Sequence, residues 1–297
     1  MRTLGINISH NASICQVTDG QIDFYYEEDR FNKRKNFLPL TDDCYFKSIE
    51  KHVTKKPDKV CVTSFDTRGQ DLLSHPIGYH KFGDLIVAKK LGEQIGIDKV
   101  YFNANNHHLH HAIAAQHLSG FDDCIIVVMD GGGSQLFPTY QEIESIYTYN
   151  KGDLKRVYLH ATSDRFPYEG HVDKKFIFEG TDVYLSDKKS MGMLFEDMCI
   201  DYKMGKTGDA GKIMGMAAYE EKPMQLQEHS KNYTIELLKK AFTYSDSDNI
   251  VLSGGYALNC VNNYAYVSKF HTKNFFIDPV AHDGGTSIGA ALSVNNE

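Results

Sequence analysis

The chain of 297 residues is 41% hydrophobic and 24% charged, enough apolar side chain to bury one large domain or two modest ones. A formal charge of −7 argues against gripping nucleic acid through bulk positive charge. No run approaches the roughly 18–20 apolar residues that span a bilayer, and Met1-Arg2-Thr3 leads directly into a strand-like segment, so a cytoplasmic protein is expected.

Residues 2–8 (RTLGINI) are apolar and β-branched, and two further runs, 13–18 and 21–27, meet across Asp19-Gly20, a hairpin signal. The charged tract EEDRFNKRKNFLP reads as a loop or helix start, and its basic residues Arg30, Lys33, Arg34 and Lys35 as a solvated face. Residues 43–54 have helical composition, DKVCVTSF reads as a strand, DLIVAKKLGEQIG as a helix ending at glycine, and VYFN as a short strand. HHLHHAIAAQHL is helical in composition and closes at Ser119-Gly120.

A second start follows. CIIVVMD (124–130) is a continuous apolar strand ending in Asp130-Gly131-Gly132-Gly133-Ser134, then come antiparallel strands joined at Lys151-Gly152-Asp153. MGMLFEDMCIDY, GKIMGMAAYEE and a long stretch from about residue 225 to 244 read as helices. NIVLSGG is another strand ending in glycines (Gly254, Gly255), YALNCVNNYAYVSKF a helix, NFFIDP a last strand and GGTSIGAALSV a last helix. The second half thus repeats the opening of the first, which predicts an α/β protein of two related lobes. A buried strand ending in glycine presents backbone N–H groups where a phosphate binds. The two such ends predict a nucleotide cleft. The six cysteines, Cys15, Cys44, Cys61, Cys124, Cys199 and Cys260, form no CxxC pair and sit mostly in apolar runs, as reduced thiols do.

On a helix, His107 and His111 lie one turn apart on the same face, the spacing at which two imidazoles chelate one metal ion. A zincin would need glutamate at position 108, where this chain has histidine. Two imidazoles call for a third ligand, and a carboxylate suits it: Asp283 in DPVAHDGG, or alternatively Asp130. Such a set fits Fe(II), Mn(II) or Zn(II) with positions left open for substrate. The competing reading is a histidine-rich surface helix without metal.

These segments, GINISHNAS, EEDRFNKRK, HHLHHAIAA, SGFDDCIIVVMDGGGS, GKIMGMAAY, LSGGYALNCVNN and DPVAHDGGTSIGAAL, occur in the order found in one family. The chain resembles the O-carbamoyltransferases of the NodU/TobZ type, whose catalytic domain is similar to the tRNA threonylcarbamoyl-transferase (Kae1-like) branch of the actin/sugar-kinase/Hsp70 (ASKHA) fold. The resemblance implies a duplicated two-lobe α/β fold, with residues 1–121 as N-terminal and 122–297 as C-terminal lobe. It implies transfer of a carbamoyl group from carbamoyl phosphate, through an ATP-derived carbamoyl-adenylate, to an acceptor hydroxyl. ATP with Mg and a bound iron are the implied cofactors.

Carried over by residue, the resemblance makes His107, His111 and Asp283 the metal ligands. It makes Asp130, Gly131, Gly132, Gly133, Ser134, Gly254, Gly255 and Asn259 parts of the nucleotide loops, with Lys212 near the nucleotide. His10 and Arg30 fall near the acceptor or carbamoyl group, His10 as a candidate base. Ser9 and Asn11 stand where the family has Gly and Asp, and His110 replaces a small residue. Family members run to about twice this length, so their YrdC-like, adenylate-forming domain is expected to be absent; a separate partner chain then supplies carbamoyl-adenylate, or this domain performs both steps, or the chain acts on another donor. Sugar-type small molecules and hydroxymethylated pyrimidines, as nucleotides or in DNA, carry a suitable hydroxyl. The alternatives are a non-catalytic nucleotide-binding regulatory lobe and a small-molecule kinase of the same superfold.

Overall fold

A computed structural model of the chain describes residues 1–39, 45–64, 83–97, 100–102, 106–137, 139–163, 173–204 and 209–294. Among these, no helix is long and apolar enough to cross a membrane. Cys44 lies outside the described residues; Cys15, Cys61, Cys124 and Cys199 are buried free thiols, and Cys260 is exposed.

The chain forms two compact units, one of residues 1–114, 134–138 and 282–297, the other of 115–133 and 139–281. The first contains strands β1 (Arg2–Asn7), β2 (Ser13–Thr18), β3 (Gln21–Glu27), β4 (Lys59–Thr63) and β5 (Tyr101–Phe102). They form one sheet in the order β3-β2-β1-β4-β5. β1 pairs antiparallel with β2 and parallel with β4. Its helices are α1 (Asp29–Asn32), α2 (Lys47–His52), α3 (Gly83–Ile95) and most of α4 (His107–Ser119). The C-terminal segment, which the sequence reading places in the second lobe, packs here: α9 (Thr286–Ser293) lies against β1, β2 and β4. The approach needs glycine, because a Cβ on Gly5 would sit 1.9 Å from the Ser287 carbonyl oxygen.

The second unit repeats the plan and enlarges it. β6 (Asp123–Met129) is its central strand, and its unbroken apolar run is buried from Cys124 onward, as expected of a strand covered on both faces. β7 (Gln135–Phe137) belongs to the first unit; β8 (Tyr140–Asn150), β9 (Asp153–Thr162), β10 (Lys174–Phe178), β11 (Thr181–Ser186), β12 (Asn249–Ser253) and β13 (Asn274–Ile277) complete the strands. Their order is β10-β11-β9-β8-β6-β12-β13. From β9 to β13 this matches β3 to β5 of the first unit: an antiparallel pair, a central strand, then two parallel neighbours. The helices are α5 (Met191–Asp201), α6 (Ala210–Met216), α7 (Glu221–Ala241) and α8 (Cys260–Lys269). The 21-residue α7 buries Gln227, Ser230, Thr234, Leu237, Leu238 and Ala241, the three-to-four spacing of a helix lying on a core. The core joins β6, β8 and β12 to α5, α6, α7 and α8 through Ile125, Ile146, Leu252, Phe195, Ile213, Leu238 and Tyr266.

Candidate functional site

Within the first unit, α4 and the turn preceding α9 bring three sequence-distant side chains together. The Nε2 atoms of His107 and His111 are 3.2 Å apart. Asp283 Oδ1 lies 3.6 Å from the first and 3.9 Å from the second. The circle through those three atoms has a radius of about 2.1 Å, the bond length a first-row divalent ion makes to imidazole nitrogen or carboxylate oxygen. All three residues are buried. A carboxylate at that depth is costly without positive charge nearby. Two soft nitrogens and one oxygen at this separation fit Fe(II), Mn(II) or Zn(II) better than an oxygen-only ion such as Mg.

The surroundings fix the triad. Ser134 Oγ accepts the His107 backbone N–H at 3.1 Å, capping a first-turn donor of α4 that has no partner within the helix. Asp283 opens a one-turn 3-10 segment, Asp283–Gly285, that leads into α9. Its second oxygen, Oδ2, lies 3.2 Å from Ser9 Oγ and 3.3 Å from His10 Nε2, leaving Oδ1 turned to the histidine pair. The turn after β1 holds Ser9 and His10 there: Asn7 Nδ2 donates to the carbonyls of His10 and Asn11, and Asn7 Oδ1 accepts from the Ser9 N–H. Asn11, with φ of 58°, occupies the left-handed position of that turn.

His108 and His110, in the first turns of α4, are buried too, so the HHLHH segment does not face solvent as the surface-helix reading expects. His110 Nδ1 meets Thr63 Oγ1, at the end of β4, at 2.7 Å. Burial, reinforced by the neighbouring His107, pushes the His110 imidazole down to about 3, so it stays neutral. Next to Asp283, His282 Nε2 lies 3.4 Å from Glu27 Oε1, which also accepts from Tyr25 OH at 3.2 Å. Ser9, Thr63, Tyr25, Glu27 and the capping role of Ser134 are features that residue spacing alone did not reveal. Arg30 stands on α1 with its guanidinium exposed and its Nε 3.6 Å from Asp29.

In the second unit the two glycine turns meet on one carboxylate. Asp130 Oδ1, at the end of β6, accepts the N–H of Gly131 at 2.8 Å and of Gly255 at 3.2 Å. The strands β6 and β12 run parallel in register, Val128 beside Ser253, which brings their ends level. Gly254 has φ of 86°, and a Cβ there would lie 2.2 Å from the Met129 carbonyl oxygen, so only glycine allows the turns to close up. Gly133 N–H donates to the Glu142 carbonyl, and Gly132 packs against the Gln141 amide. Asn259 is buried and serves the fold: its Oδ1 caps α8 at Asn262 N–H, and its amide exchanges two hydrogen bonds with Gln227. Lys212 is exposed on α6 and pairs with Asp209 at 2.9 Å.

Residues 225–292 match the family model for the carbamoyltransferase N-terminus. The nodulation protein NolNO of Sinorhizobium fredii (strain NBRC 101917 / NGR234) is 24% identical over 330 residues, covering 97% of this chain and 46% of that protein. The chain spans between 36% and 56% of the length of the curated relatives it matches. Among solved structures, full-length HypF in its phosphate- and nucleotide-bound form aligns with a TM-score of 0.57 at 14% identity, over 99% of this chain and 55% of that one. The ROK hexokinase of Thermus thermophilus aligns with a TM-score of 0.51 at 14% identity, over 99% and 98%. These likenesses establish the α/β fold of the actin/sugar-kinase/Hsp70 type, while the family match and NolNO support kinship with carbamoyltransferases.

Proposed function

We propose that this chain is the Kae1-like catalytic part of an O-carbamoyltransferase, moving a carbamoyl group from carbamoyl-adenylate to an acceptor hydroxyl. The observation that carries this reading is the match of residues 225–292 to the carbamoyltransferase N-terminus. The similarity to NolNO and the buried His107–His111–Asp283 triad support it.

The chemistry sets what the residues must do. A carbamoyl carbonyl is a weak electrophile because its nitrogen donates into it, and a mixed anhydride with AMP supplies a good leaving group. The acceptor oxygen forms a bond to the carbonyl carbon, the bond from that carbon to the phosphate oxygen breaks, AMP leaves, and the hydroxyl proton departs to a base. His107, His111 and Asp283 would hold a divalent ion, with iron the choice the resemblance favours; when bound it supplies a Lewis acid for the carbonyl or phosphate oxygen. Ser9 and His10 hold the Asp283 carboxylate in place from its far side. The His10 side chain is 43% exposed, so its ring reaches both the buried carboxylate and an arriving hydroxyl, and it is the candidate proton acceptor. The glycine turns at 131–133 and 254–255 are the candidate seat of the adenylate phosphate, where Gly132 and Gly254 are the glycines whose N–H groups Asp130 and the Glu142 carbonyl do not take. Carbamoyl phosphate and ATP supply the donor, with a partner chain or further domain forming the adenylate.

The test is incubation of the metal-loaded protein with ATP, carbamoyl phosphate and hydroxyl acceptors of the sugar and hydroxymethylpyrimidine classes, followed by mass spectrometry. A gain matching one carbamoyl group in place of one hydrogen, with AMP as co-product, is the expected result. ADP with a phosphorylated acceptor would instead identify a kinase. Absence of transfer even when preformed carbamoyl-adenylate is supplied would overturn the reading.

A further inference from the structure

The second unit contains a cavity of about 510 Å³ that the proposed chemistry does not use. It lies between α7 and the outer strands β9, β11 and β10. The strand register builds one wall: Tyr158 sits opposite Asp182 and Asp182 opposite Ile177, while in the next row His160 sits opposite Tyr184 and Tyr184 opposite Lys175. Two-residue alternation puts both rows on one face of the sheet. From α7, Tyr233 and Lys240 stand two turns apart on one helix face and form the other wall.

The chemistry of that lining is selective. Tyr233 OH donates to Glu144 Oε2 at 2.7 Å, and Tyr184 OH donates to Asp173 Oδ2 at 2.6 Å. Burial raises the Tyr158 and Tyr233 phenols well above their ordinary range and keeps them neutral. Tyr184 is braced from behind by His160, stacked at 4.5 Å, and His160 is itself held by Glu144 and Ser186. With two of the three hydroxyls committed and the rings fixed, the cavity offers flat aromatic surface rather than a set of sugar-binding donors.

The charges are divided unequally in availability. The two acids of the lining are engaged, Asp182 in the strand wall by Tyr244 OH and Glu236 on α7 by Lys239. The lysines make no ion pair among the described residues: Lys240 Nζ stands 4.3 Å from the Tyr158 ring centre, and Lys175 Nζ 5.0 Å from that of Tyr184. An ammonium over a ring keeps most of its capacity to bind an anion.

We infer that this cavity is a binding site for an organic anion with a flat apolar body, the body lying against Tyr158, Tyr184 and Tyr233 and the anionic group meeting Lys175 and Lys240. A volume of this size suits a ligand of one or two rings with one charged group. The inference stands on residues of the second unit alone and does not depend on carbamoyl transfer.

The probe is 1-naphthyl phosphate, with uncharged 1-naphthol and cationic 1-naphthylmethylamine as controls, titrated into the full chain by calorimetry and by tyrosine-ring NMR. The phosphate ester is expected to bind about tenfold or more tighter than naphthol, to exclude the amine and to shift ring signals of Tyr158 and Tyr184. Charge reversal by Lys240→Glu, Lys175→Glu or both should weaken it by at least about tenfold. Ile177→Glu, at an exposed rim position that the fold does not need, should weaken it as well and guards against misfolding of the lysine variants. Equal binding of all three probes, or phosphate-ester binding that none of these variants alters, would overturn the inference, as would no binding at all.

Discussion

A Cβ at position 289 would lie 2.0 Å from the carbonyl oxygen of His110, so α9 and the histidine helix meet backbone to backbone. Gly289 is therefore a condition for bringing Asp283, three residues before α9, to the imidazole pair. Gly289→Ala forces the two helices apart, since a backbone carbonyl cannot move aside as a side chain does. The expected loss is about 1–3 kcal/mol or more of stability. Thermal unfolding measures it, and the variant should also retain less divalent metal per chain.

Removal of any one ligand should abolish stoichiometric metal. Purified His107→Ala, His111→Ala and Asp283→Asn are expected to show native far-ultraviolet circular dichroism with metal content near zero by elemental analysis. Chelation of the unaltered protein should suppress carbamoyl transfer, and re-addition of Fe(II) should restore it. Full metal content in Asp283→Asn would remove the carboxylate from the ligand set.

Ser134 acts through the backbone of α4 rather than through a ligand. Ser134→Ala leaves the buried His107 N–H without its side-chain acceptor, at a cost of about 1 kcal/mol. The melting temperature should fall, while Ser134→Thr, which keeps the hydroxyl, should recover most of the loss.

Asn259 tests whether a glycine-turn residue serves the fold or the nucleotide. Asn259→Ala removes the α8 cap and strands the Gln227 amide, so about 1–3 kcal/mol of stability should be lost. Asn259→Asp keeps an acceptor for the cap and should lose less. A variant of unchanged stability but weakened nucleotide binding would move Asn259 into the binding machinery.

Glu27 gives a pH signature. Its hydrogen bond from His282 holds the carboxyl below its ordinary value of 4.5. The folded state therefore binds the proton less readily than the unfolded one. The stabilisation is complete above pH 4.5 and is lost as pH falls through the lower folded value. Glu27→Gln should flatten that part of the acid limb in pH-dependent thermal melts, leaving stability near neutrality little affected by titration.

The duplicated strand pattern was legible because burial leaves an unbroken apolar run at β6 and the shorter Leu4-Gly5-Ile6 stretch at β1, and because Asp19-Gly20 and Lys151-Gly152 mark hairpins with φ positive at both turn residues. Glu179-Gly180 carries the same signature, with φ of 48° and 78°, and marks the β10–β11 hairpin that the sequence reading passed over. His107 and His111 were legible from one-turn spacing. The partnership with Asp283 depends on α9 returning to β1 across the length of the chain, which no local period encodes. Asp283 was legible as a candidate third ligand without that path being visible, whereas the Asp130 carboxylate accepting N–H groups of both glycine turns had no signal, since it follows from strand register rather than from either turn.

The split composition of the first unit has a consequence for how the protein matures. His111 leaves the ribosome about 170 residues before Asp283, which at about 5–20 residues per second is a delay of many seconds. During that interval the nascent chain presents an imidazole pair without its carboxylate, and β1 lacks the helix that Gly5 is shaped to receive. The three side chains can therefore meet on one ion only after the segment carrying Asp283 has followed the second unit off the ribosome, so the order of synthesis makes the carboxylate the last member of the triad to arrive.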